Sequence, residues 1–76
     1  MNLYDVLRLA FINRLTVSIT VASELIIEIF IITPDGKKIE DKYIHPGHDI
    51  LNTKESDLVS FITNDCMSFL NKTIRY

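Results

Sequence analysis

A chain of 76 residues has room for one domain, spanning 1–76, with one core, and at this size folding buries only about 60% of the unfolded chain's surface. A hydrophobic content of 47% argues against intrinsic disorder, and a formal charge of −2 from eight basic and ten acidic side chains is not the footprint of a nucleic-acid binder. Cys66 is the sole cysteine, which excludes an intrachain disulfide.

Asn2 can cap a first helix, with Asp5 three residues on as its capping-box partner. Leu3, Val6, Leu7, Ala10 and Phe11 then recur at helical period, so this stripe is expected to face the core, and the helix fades near Asn13. The period switches to two along Leu15, Val17, Ile19 and Val21, which alternate with Thr16, Ser18 and Thr20; this is a half-buried, β-branched strand. Ala22-Ser23-Glu24 reverses the chain. Leu25 through Thr33 forms a second strand, apolar on both parities except at Glu28.

Thr33-Pro34-Asp35-Gly36-Lys37 is hairpin chemistry: Pro presets φ, and Gly takes the left-handed position that closes a three-residue loop. With Thr33 opposite Lys37, the register places Ile31 against Ile39, Ile29 against Asp41 and Ile27 against Tyr43. On the other face Ile32 meets Lys38, Phe30 meets Glu40, Glu28 meets Lys42 and Ile26 meets Ile44. The opposite charges of Glu28 and Lys42 support that alignment by ~0.2–1 kcal/mol. His45-Pro46-Gly47-His48-Asp49 ends the third strand. A second helix starts near Asn52 or Thr53, with Asn52 and Glu55 spaced as a capping box. Leu58, Ile62, Cys66, Phe69 and Leu70 form its stripe, and it extends toward Ile74.

The expected fold is therefore α+β: a three-stranded antiparallel β-meander with an N-terminal and a C-terminal helix on one face (αβββα). Both helices cover Val17, Ile19, Ile27, Ile29 and Ile31. Ile26, Phe30, Ile32 and Ile44 then face outward with no chain left to cover them. An outward apolar patch of this kind suits a protein partner or a homodimer.

The catalytic classes are unsupported. Cys66 falls mid-helix among Ile62, Phe69 and Leu70, a buried inert thiol. Ser60 and Ser68 lack a nucleophile-elbow context, Glu40 and Asp41 face opposite sides of a strand, and Asp35-Gly36 has no glycine-rich continuation that would cradle phosphate. His45, His48 and Asp49 are the one cluster of metal-ligand chemistry. Without a fourth ligand or a helix to fix them, they read as a Pro-Gly turn. Phe30 and Tyr43 lie on opposite faces, unlike the paired stacking aromatics of an RNA-binding sheet. No enzyme activity, metal, cofactor or direct nucleic-acid contact is expected. The opening residues lack a secretion signal, and Leu25–Ile32, broken by Glu28, is far shorter than the ~20 residues of a membrane span, so no membrane partner and a cytoplasmic location are expected.

One resemblance narrows the function. Met1-Asn2, Asp5, Arg8, Thr16-Val17, Leu25-Ile26-Ile27 and the turn carrying Asp35-Gly36 resemble the small phage-encoded anti-CRISPR inhibitors of the type II-A effector nuclease, over roughly the first 45 residues. The resemblance implies a three-stranded antiparallel sheet flanked by helices. It also implies a bacteriophage protein, acting in the bacterial host's cytoplasm, that disables a host defence protein by binding it. Asp35, Gly36, Glu40 and Asp41 match the family's acidic hairpin, with Glu40 the first to carry over. The chain departs from the family's acidic DNA mimicry at Arg14, at Lys37-Lys38 and in a last helix without an acidic cluster. The expected partner-binding set is thus Ile26, Phe30, Ile32 and Ile44, with Glu28, Asp35, Glu40 and Asp41 around them.

Overall fold

The computed structural model describes residues 2–73. Its elements run α1 (Leu3–Ile12), β1 (Thr16–Val21), β2 (Leu25–Ile32), β3 (Lys38–His45) and α2 (Glu55–Thr73). The strands form one antiparallel sheet in the order β1-β2-β3, so the fold is the expected αβββα arrangement. Ile74, toward which the second helix was expected to extend, lies outside the described residues.

Local chemistry sets most boundaries. The Asn2 side chain accepts a hydrogen bond from the Asp5 amide, and the Asp5 carboxylate accepts from the Asn2 amide, completing the capping box. At the other end of α1, Arg14 adopts φ 58°, the left-handed turn that lets the Leu15 amide donate back to the Ala10 carbonyl at 2.9 Å. Such a φ is unusual for a residue with a Cβ. The β2–β3 hairpin closes with Gly36 at φ 86° and bonds from Thr33 N–H to Lys37 O and from Gly36 N–H to Thr33 O. Its register is the expected one at every position, from Ile32 opposite Lys38 to Ile26 opposite Ile44.

The second helix starts later than its spacing suggests. The Asp49 carboxylate accepts from the Leu51 and Asn52 amides and from the Asn52 side chain, all within 3.0 Å. Asn52 is thereby held in a turn and does not cap α2, so the Asn52–Glu55 capping box does not form and the helix begins at Glu55.

Two layers enclose one core. Val6, Ala10, Leu15, Ile27, Ile29, Val59, Ile62, Cys66 and Phe69 are buried in it. α2 packs on β2 and β3, while α1 packs on β1 and α2. Two expectations about burial need correction. Only Val6 and Ala10 of the α1 stripe are buried; Leu3, Leu7 and Phe11 are exposed, Phe11 at 84%. Ile19, expected beneath the helices, is 42% exposed, because the core they cover reaches Leu15 and Val17 but stops short of Ile19. No helix among the described residues is long and apolar enough to cross a membrane.

Candidate functional site: the outer face of the sheet

Strand parity and register build this face in rows. Thr20, Ile26 and Ile44 form one; Ser18, Glu28 and Lys42 the next; Thr16, Phe30 and Glu40 a third; and Ile32 with Lys38 ends the hairpin side. Among the described residues no element lies over these rows, since both helices pack on the opposite side. Ile26 and Phe30, on the central strand, are half-buried by their lateral neighbours, whereas Ile32 and Ile44 are exposed.

Charge on the face is internally balanced. Lys42 Nζ stands 3.8 Å from Glu28 across the strands, the pairing expected from the register, and Lys38 Nζ stands 3.3 Å from Glu40 along β3. Lys38 also places its ammonium 4.6 Å from the centre of the Phe30 ring. Exposed pairs of this kind contribute ~0–1 kcal/mol each. Their effect here is geometric: Lys38 keeps its stem against the Phe30 ring, and the two pairs keep the face near neutral.

The four carboxylates of the expected binding set do not form one cluster. Glu28 and Glu40 lie on the outer face. Asp35 sits at the exposed hairpin turn, where a hydrogen bond donated by the Thr33 hydroxyl lowers its pKa. Asp41 shares the helix side with Ile29 and accepts from Lys72 Nζ of α2 at 2.9 Å, which holds its carboxyl below the usual range. A notch of about 450 Å³ is nonetheless bordered by Glu28, Glu40, Asp41 and Lys42. Tyr43, beside Asp41, is half-buried on the core side, and burial followed by the Asp41 charge pushes its phenol up to about 12.

The histidines are engaged separately. His45 Nε2 lies 2.7 Å from an Asp65 carboxylate oxygen, and its ring stacks on Phe61 with centroids 4.3 Å apart. His48 meets the same Phe61 ring edge-on, while Asp49 serves its own turn. Among the described residues no group of three side chains is placed to hold a metal. The His45–Asp65–Phe61 cluster was not anticipated from sequence. Its signal was present: Asp65 stands at i+3 from Ile62 and i−4 from Phe69, an acid within the buried stripe of α2. Burial raises the Asp65 pKa, opposed by the His45 bond. Cys66 is fully buried, and burial, then the Asp65 charge, raises its thiol pKa.

A second apolar surface also escaped the sequence reading. The outer side of α1 presents Tyr4, Leu7, Phe11 and Ile12 around an open depression of about 520 Å³, with the Arg8 guanidinium 5.7 Å from the Tyr4 ring centre. No protein-family model, curated protein or solved structure matches this chain.

Proposed function

We propose that this chain is a non-enzymatic, phage-type inhibitor that attaches to a bacterial defence protein, a type II-A CRISPR effector nuclease first among them, through the outer face of its sheet. The observation that carries the reading is the uncovered row set of Ile26, Phe30, Ile32 and Ile44, a near-neutral apolar surface framed by charge pairs. Aromatic and aliphatic anchors at the centre of an interface dominate affinity, while rim charges act mainly on association rate and salt dependence. Phe30 is the central anchor of this surface, and Glu28 and Glu40 are its rim. The target class rests on the anti-CRISPR resemblance of the N-terminal half.

The test is a DNA-cleavage assay with a type II-A effector, titrated with the chain and its variants. Phe30→Ala is expected to weaken inhibition by ~1–3 kcal/mol, roughly 5- to 150-fold. Glu40→Ala is expected to have a smaller effect that shrinks at high salt. The reverse ranking, with Asp35, Glu40 and Asp41 substitutions abolishing inhibition and Phe30→Ala silent, would replace the apolar-face mechanism with acidic mimicry. Cleavage unaffected by a large excess of the unmodified chain rejects that nuclease as the target.

A further inference from the structure

Only Asn13 and Arg14 separate the end of α1 at Ile12 from the buried Leu15. Arg14 takes φ 58°, and among the described residues it is the only one besides glycine with a positive φ. A residue with a Cβ resists that conformation, and asparagine tolerates it better than arginine does. Yet Asn13 stands one place earlier, at φ −91°. The strained residue is what reverses the chain. Through it the Arg14 amide donates to the Phe11 carbonyl and the Leu15 amide to the Ala10 carbonyl, and α1 folds back onto β1 and α2 of its own chain. Two residues leave no slack: with Arg14 relaxed to extended backbone, α1 is carried away from that seat.

α1 also holds its seat lightly. It has 10 residues, of which Val6 and Ala10 are buried, and Leu9 is partly buried beside them. A helix that short is marginal in water by itself. Once detached, it would add these side chains to Tyr4, Leu7, Phe11 and Ile12, which are already exposed. The vacated seat would in turn open the core at Leu15 and at Val59, which borders a hollow shared with Asn2 and Leu3. Helix and seat would then each need a partner of the shape it has lost.

From this hinge we propose that the chain exchanges α1 with a second copy, each helix lying on β1 and α2 of the other about an extended Asn13-Arg14 link. The structure itself fixes the occupant. The seat fits α1 because α1 fills it in the single chain, so the core contacts are kept and only the link changes. Opening relieves the left-handed Arg14 in both chains, and short strained hinges are where such exchange begins. Against this, the return bonds from Arg14 and Leu15 are given up and two chains are joined, so exchange is favoured by concentration. It engages α1 and its seat, and is independent of any target bound on the outer face.

Refolding of the full chain from urea at high micromolar concentration, followed by sedimentation equilibrium, is expected to yield a species of twice the 8.8 kDa chain mass; a strict monomer overturns the proposal. In a dimer mixed from isotope-labelled and unlabelled chains, nuclear Overhauser contacts are expected between Val6 or Ala10 of one copy and core methyls of the other. A dimer lacking them associates by another surface and refutes the exchange.

Two substitutions at the hinge are expected to act in opposite directions. Arg14→Gly removes the penalty of the left-handed turn, so the closed monomer gains and the dimer association constant falls by at least about tenfold. An association constant equal to that of the native chain overturns the proposal. Arg14→Pro fixes φ at about −65° and pushes Asn13 to extended backbone, so the closed link cannot form. This variant is expected to fold only as the dimer, with the helix content of the native chain by circular dichroism. A folded Arg14→Pro monomer with that same helix content overturns the proposal. Should Arg14→Pro fail to fold, the comparison of Arg14→Gly with the native chain decides.

Discussion

Aspartate at position 29 is expected to unfold the domain, while aspartate at position 32, three residues along the same strand, leaves it folded. Ile29 is 0% exposed and lies in the core beneath the helix layer, flanked by Val17 and Asp41 on the neighbouring strands. Removing a buried isoleucine side chain costs ~2–5 kcal/mol, and an unpartnered buried carboxylate adds several more. The new charge would also stand directly across the ladder from Asp41, a like-charge pair. At ~0.05–0.15 kcal/mol per residue, the whole domain is worth about 4–11 kcal/mol, so the substitution removes most or all of its stability. Ile32 is 55% exposed on the outer face and sits opposite Lys38. An aspartate there loses part of one side chain's burial and gains an opposite-charge neighbour worth ~0.2–1 kcal/mol, leaving a net change of at most about 1 kcal/mol. Urea melts followed by circular dichroism measure both. Equal loss of signal at low urea for the two variants would show that the assignment of the sheet faces is wrong.

Cys66 is expected to resist thiol-labelling reagents in the native protein and to react only as fast as the domain opens; rapid labelling without denaturant would contradict its full burial and raised pKa. Asp65 gives a pH signature. Its folded pKa lies above the unfolded value, so its ionisation favours the unfolded state, a penalty absent below the unfolded pKa near 3.8 that sets in as pH rises through the folded one. Asp65→Asn, which still offers an oxygen to His45, is therefore expected to melt higher than the native chain at neutral pH, with the gap closing in acid. A lower melting temperature at neutral pH would show that the charged pair with His45 outweighs burial. Chelators are expected to leave the melting temperature unchanged, since His45 is bonded to Asp65, both imidazoles pack on the Phe61 ring, and no third ligand stands beside them among the described residues; a drop of several degrees would overturn that reading.

Legibility followed how strongly local chemistry limited the alternatives. Pro34-Asp35-Gly36 admits few loop geometries, and a one-residue slip would have put Glu28 and Lys42 out of register and sent Ile27, Ile29 and Ile31 to the wrong face, so the hairpin could be aligned residue by residue. The orientation of α1 was not so constrained. Leu3, Leu7, Leu9, Phe11 and Ile12 spread apolar side chains around most of its circumference, and helical period alone cannot choose among them. Its rotation depends on the left-handed Arg14 and the return bond to Ala10, which turn Val6 and Ala10 inward. The late start of α2 was hidden because Asn52 suits a cap and an Asp-led turn equally, and the carboxylate three residues earlier decided between them. On the candidate face, Ile26, Phe30, Ile32 and Ile44 followed from parity. The diversion of Asp41 to Lys72 did not, because it depends on a helix 31 residues away in sequence.

Among the described residues both helices lie on one side of the sheet and none on the other, a slab whose shortest extent is 17 Å. β2, the central strand, has neighbours on both edges, and its side chains alternate between the core and the open face. Its backbone thus separates an outer-face ligand from Ile27 and Ile29. Amide hydrogen exchange makes that proximity measurable: β2 amides exchange through global opening, so a ligand on Phe30 slows them by its full binding free energy. The amides of α1, which packs on β1 and α2 on the far side of the sheet, are expected to register its arrival less.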